Sequence, residues 1–364
     1  MNQRNKLIDS VKGIGMISVI IGHSLVTLPI THLKLGIFVY LYNIMLFFFV
    51  AGFLYDGNKY NRFESVHIYI GKRFYGIFKP YVQYNTGFVL LHNLLSSLSL
   101  IIAGSYSVNE CIIWLISGAV LQTNEAMLGA FWFLPVLFVS CVLFCISFCL
   151  SADISARFCN RKNATNILMS LIMLLFAILG LYTNSIGMYL SYHIQIALLA
   201  VPIMYLGYIS KKYYPKIRSL FSWVGCLASC AVLCLIAHYN VISVELSVNQ
   251  IGNAFLFYPV TCIGLYFCMC LANILQKCSP VQKLLSFIGK NSFHFMALHL
   301  LIFKLFDRLV SLFRSDPETV INAFPYSYNL GLTYTVVTVI VMGIIITLVK
   351  NAKKVCRRTV KQEK

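Results

Sequence analysis

Apolar residues fall along this chain in long blocks separated by short polar stretches. Blocks long enough to cross a bilayer lie at 11–30, 36–54, 80–102, 131–150, 165–182, 193–209, 219–238, 252–275, 291–313 and 330–350. The pattern predicts an all-α, polytopic membrane protein of about ten transmembrane helices. The stretch 108–121 is apolar but short, which predicts an interfacial or re-entrant helix. The longest connection on the expected outer side, about 103–130, is too short to bury a core of its own. Residues 1–350 therefore read as one transmembrane domain and 351–364 as a basic tail beside anionic lipid.

Composition agrees with this pattern. Charged residues make up 11% of the chain and hydrophobic ones 59%, with a mean hydropathy of +0.79; soluble domains carry about 25% charged residues. The net charge of +18 does not mark a nucleic-acid binder, because the basic residues form neither a stripe nor an RNA-binding motif. They follow topology instead. With ten spans and the N-terminus inside, 25 of the 29 Lys and Arg residues fall on the cytoplasmic side, leaving Lys34, Lys304, Arg308 and Arg314. Both termini are thus expected in the cytoplasm. Arg4 and Lys6 before an apolar run resemble a signal peptide, but no small-residue cleavage site follows, so a retained first span is expected. The repeats Cys141, Cys145, Cys149 and Cys226, Cys230, Cys234 place cysteines on helix faces inside apolar runs, where they read as packing residues.

The first block carries chemistry. His23 sits deep in an apolar helix with Asp9 and Lys12 at its mouth, and an ionisable group inside a membrane span is a functional candidate by default. Lys12 and His23 are eleven residues apart, so they return to nearly the same face about 16 Å apart along the axis. Imidazole suits removal of a proton from a hydroxyl at neutral pH, or it can carry an acyl group covalently. A cation at the interface with a base three turns deeper suits a ligand with an anionic head and an extended reactive arm. Acyl-coenzyme A has that form. Asp9 is expected to support this catalytic helix by orienting Lys12 or capping the helix start, where a carboxylate is favoured.

Elsewhere Lys59, Arg62, Lys72, Arg73 and Lys79 gather before Pro80-Tyr81, and cations of this kind make charge-assisted contacts to phosphate. Trp132 is expected at the outer face, as a belt aromatic or a stacking platform for a sugar ring. Asn291-Ser292 reads as a capped helix start, followed by His294 and His299. Those two histidines lie five residues apart and face about 140° apart, which does not suit a metal pair on one helix. No metal is expected. Lys304, Asp307 and Arg308 are spaced to pair with one another, or to line an acceptor vestibule.

A basic residue, ten others and then His in the first span, preceded by Asp9, resembles the acyltransferase-3 family of integral-membrane O-acyltransferases. The Lys12-Gly-Ile-Gly version with Gly22-His23-Ser24 is most similar to sugar O-acetylases of the fucose 4-O-acetylase type. The resemblance extends in order through Phe47–Phe53, Lys72-Arg73 with Lys79-Pro80-Tyr81, Phe131-Trp132-Phe133-Leu134, and Gly289-Lys290-Asn291-Ser292 with His299. Many members carry Arg where this chain has Lys12, which keeps the charge but loses the forked geometry. The resemblance implies transfer of acetyl from cytoplasmic acetyl-CoA to a hydroxyl of a lipid-linked or surface glycan in a bacterial inner membrane. It implies His23, with Asp9 supporting it, as the catalytic residues, Lys12, Arg73, Lys72, Lys79 and Tyr81 on the coenzyme side, and Trp132, Asn291, Ser292 and His299 on the acceptor side. The main rival is a transporter or flippase of a lipid-linked glycan, with His23, His299 and Arg308 lining a path. A glycan polymerase is a third reading, but it usually needs a larger outer loop.

Overall fold

The computed structural model describes residues 5–26, 30–101, 103–122, 125–158, 163–314 and 324–362. Arg161, Lys162 and most of the expected outer loop after Arg314 lie outside these. The described residues fold into helices without a strand; Glu245 and Gln250 form only an isolated bridge.

The first helix, α1 (Lys6–Ser24), is capped by Asn5, whose side chain accepts from the Leu7 and Ile8 amides at 3.0 and 3.4 Å. The cap is therefore not Asp9, which lies inside the first turn. The expected second span is broken into α2 (Ile30–Tyr40) and α3 (Asn43–Phe53), with the Tyr42 hydroxyl at the break bonded to Ser18 at 3.2 Å. A basic helix α4 (Val66–Arg73) runs through one π-helical turn (Phe74–Phe78) into α5 (Lys79–Ser97). The short helix expected near 108–121 is present as α6 (Val108–Ala119), fixed by a capping box between Ser107 and Glu110. A 3₁₀ segment (Ala126–Trp132) then leads into α7 (Phe133–Phe158), followed by α8 (Ala164–Ser185), α9 (Ile194–Ile217), α10 (Trp223–His238) and α11 (Ala254–Leu275). The amphipathic α12 (Ser279–Lys290) was not expected. It precedes α13 (Ser292–Ser311) and α14 (Thr333–Gln362), which continues unbroken through the stretch read as a tail.

Among the described residues, seven helical segments are long and apolar enough to cross a membrane. Three further expected spans also form helices but fall short in length or apolarity. α5 is polar for its length, α10 has 16 residues, and α13 carries Lys304, Asp307 and Arg308.

α1 is the hub. It packs against α2, α3, α11, α12, α13 and α14, and it joins two apolar cores. Val11 and Ile14 belong to a core with α3, α7, α9 and α11. Met16, Val19 and Ile20 belong to another with α5, the 3₁₀ segment, α13 and α14. Its contact with α12 is backbone to backbone. A Cβ on Gly13 would strike the Leu285 carbonyl, and one on Gly289 would strike the Asp9 carbonyl. That close approach is the physical reason for the glycine in Gly289-Lys290-Asn291-Ser292.

Candidate functional site

Two cavities of similar size lie end to end along α1. One, of about 310 Å³, is bordered by Lys12, Arg73, Lys290 and Ser292; the other, of about 330 Å³, holds His23 and Trp132. The same elements wall both, one turn apart. Met16, Phe47 and Met296 face the basic chamber, while Val19, Ile44 and Leu300 face the histidine chamber. Phe47 and Phe133, with ring centroids 5.6 Å apart, stand on the basic side of the boundary. The chambers are therefore neighbours along α1, α3 and α13, separated by about a turn of side chains.

In the basic chamber, Lys12 comes from α1, Arg73 from the end of α4 and Lys290 from the end of α12. Asp9 Oδ2 lies 4.0 Å from Lys290 Nζ, so this carboxylate helps to hold the third cation. Asp9 is fourteen residues from His23, about 21 Å along the helix, and takes no part in its surroundings. The Arg73 guanidinium stacks on Tyr69 at 4.9 Å, and its buried Nε has no hydrogen-bond partner. Three cations converging on one cavity form a site for an anion of high charge.

The histidine chamber is chemically different. Trp132 forms one wall with Gly129 and Ala130; Tyr40, Asn43, Glu245 and Ser247 supply hydroxyl, amide and carboxylate groups. The Glu245 carboxylate accepts from the Ser247 hydroxyl at 2.5 Å. His193, with its ring centroid 5.7 Å from Trp132, carries a buried Nδ1 without a hydrogen-bond partner. An aromatic face beside mixed donors and acceptors is the composition that a polyol requires. Against His23 lies His299, fully buried, with ring centroids 5.1 Å apart. The deep position expected for His299 thus places it beside His23.

Two buried polar networks brace this chamber. His92 Nδ1 meets Glu125 Oε1 at 2.5 Å, both side chains being fully buried, and Tyr106 stacks on the His92 ring. Glu125 also receives the Met127 amide at 2.9 Å, so the pair fixes the start of the 3₁₀ segment that carries Gly129–Trp132. On the other side, Lys304 and Asp307 pair at 3.5 Å, and Asp307 accepts from the Tyr334 hydroxyl at 2.5 Å and the Ser327 amide at 2.6 Å. This holds the segment that supplies Phe324 and Pro325 to the chamber. The expected pairing of Lys304 with Asp307 is present; Arg308 is exposed.

The sequence-predicted residues divide between the chambers differently from expectation. Lys12 and Arg73 line the same chamber, whereas Lys72 and Lys79 are exposed and line neither. Tyr81 is buried against Phe131, with centroids 5.6 Å apart, and is a packing residue. Ser292, grouped with the acceptor side, lies in the basic chamber. Asn291 does not cap α13 with its side chain, which donates back to the Phe287 carbonyl at 2.6 Å. Trp132 and His299 do lie at the His23 end. Lys290, Tyr40, Asn43, Glu245 and Ser247 escaped sequence reasoning; only Lys290, inside a motif block, carried any signal.

Residues 5–350 match the family described as "Acyltransferase domain". Neither the curated proteins nor the solved structures gave a match.

Proposed function

The chain belongs to the acyltransferase-3 family of membrane acyltransferases, and from that premise we propose that it is an O-acetyltransferase acting on a glycan, similar to fucose 4-O-acetylases. The donor is acetyl-CoA, held from the cytoplasmic side by Lys12, Arg73 and Lys290 through its phosphates. Its thioester arm runs along α1 toward His23. The acceptor is a sugar hydroxyl of a lipid-linked or surface glycan, presented in the chamber of Trp132, Tyr40, Asn43 and Glu245 in a bacterial inner membrane. His23 removes the hydroxyl proton as the oxygen attacks the thioester carbonyl.

One observation carries the reading: two neighbouring cavities along α1, one lined by cations and one by polyol-like groups, with His23 in the second and lining residues about one helical turn apart. Membership in an acyltransferase family, together with an imidazole in one of two unlike neighbouring chambers, supports transfer over transport. The test is thiol release from acetyl-CoA by purified protein supplied with a glycan acceptor. Acceptor-dependent release that is lost in His23→Ala is expected. A protein that moves glycan across vesicles without consuming donor would overturn the proposal.

A further inference from the structure

Beside His23 lies the buried side chain of His299, whose hydrogen-bonding state follows from its surroundings. Its Nδ1 lies 2.8 Å from the Met296 carbonyl oxygen. A carbonyl oxygen only accepts, so Nδ1 must carry the hydrogen. The ring is fully buried, and a second proton on it would place a charge among apolar neighbours, including Phe303 at 5.8 Å. The ring is thus neutral and Nε2 carries a lone pair. That Nε2 has no hydrogen-bond partner, and a buried acceptor left unmade is costly. On α1 the ring of His23 lies against that of His299, with centroids 5.1 Å apart.

We infer that His299 Nε2 accepts a hydrogen bond from a ring N–H of His23 in the reacting complex and so decides which His23 nitrogen is the base. This rests on the reading of His23 as the base. A neutral imidazole has one N–H and one lone pair, and a partner for the N–H fixes where the lone pair points. With the N–H directed at His299, the remaining His23 nitrogen takes the acceptor hydroxyl proton. The oxygen forms its bond to the thioester carbon, the C–S bond breaks, and the sulfur leaves with the electron pair. It then receives the proton that His23 took. His299 neither gains nor loses a proton and touches no reacting atom; it is a positioning residue.

The test compares His299→Leu, which cannot accept, with His299→Gln, whose side-chain oxygen can. In protein inserted at normal level, His299→Leu should lower kcat about 10²-fold, with donor and acceptor KM within twofold of the parent. His299→Gln should recover most of the loss. Equal impairment of both variants, or a parent-like kcat in His299→Leu, overturns the inference. A measurement on the unsubstituted protein covers a failure of His299→Leu to fold. In ¹⁵N-histidine spectra, with His23 assigned by difference from His23→Ala, one ring tautomer of His23 is expected when acceptor is bound. A mixture of both tautomers there overturns the inference. An active His23→Ala would instead remove the reading of His23 as base.

Discussion

The two chambers along α1 differ by 20 Å³ in volume and share three of their walls, yet their chemistry is opposed. The basic one gathers Lys12, Arg73 and Lys290 from three separate helices, and no carboxylate is among the described residues of its lining. The histidine one has a Trp wall, an amide, hydroxyls and Glu245, and His23 is the one imidazole among the described residues of its lining. Volume therefore says little about what each takes; the charge and hydrogen-bonding character of the walls does. The contrast is sharpest along α1, which offers one ionisable residue to each end, Lys12 and His23, eleven positions apart. It predicts that damage at one end leaves the ligand of the other end nearly untouched.

The largest break should come at His23. His23→Ala is expected to lower transfer by about 10²–10⁴-fold, the usual worth of a general base, with the amount of inserted protein unchanged because the helix stays apolar. Transfer within tenfold of the parent would remove the base from the account. Next come the cations. Lys12→Ala and Arg73→Ala should each raise the donor KM about ten- to a hundredfold, the equivalent of a charge-assisted bond of about 1.5–3 kcal/mol. The acceptor KM should barely move, and Lys12→Arg should retain most activity. A rise in acceptor KM equal to that of the donor would erase the distinction between the chambers.

Trp132→Ala should do the reverse, raising the acceptor KM about tenfold through loss of an aromatic contact and leaving the donor KM alone; Trp132→Phe should be milder. A change confined to the donor KM would move Trp132 to the wrong end. The smallest and least local effect is expected from Gly289→Ala, whose methyl must push α12 away from the Asp9 carbonyl. Overpacking of this kind costs about 1–3 kcal/mol. Thermal unfolding should begin at lower temperature, and donor affinity, which depends on Lys290 beside Asp9, should fall more than acceptor affinity. Parent-like melting in Gly289→Ala would show that α1 and α12 separate without penalty.

Much of this arrangement was legible because helices are periodic. The spacing of Lys12 and His23 needs only 3.6 residues per turn to place both on nearly the same helix face, and the apolar blocks anticipated most of the helices. Periodicity fails at the joins. Hydropathy cannot see the break at Leu41-Tyr42, since both residues are apolar on either reading. It passes over α12, which is short and amphipathic. Charge clusters mislead for a related reason. Lys72 and Arg73 are successive on α4, so they point about 100° apart, and only Arg73 reaches the chamber. Glu245 and Tyr40 come from segments with no motif, and no spacing rule connects residue 245 to residue 23. His299 was marked by the family resemblance, but its approach to His23 is a product of α13 packing on α1.

Binding of free coenzyme A, measured by calorimetry on detergent-purified protein, separates the two chambers without any turnover. If phosphates are held at the basic end and chemistry occurs at the other, His23→Ala should bind coenzyme A within about twofold of the parent. Lys12→Ala should then bind at least about tenfold more weakly. Full affinity in Lys12→Ala combined with lost affinity in His23→Ala would contradict the account at its centre.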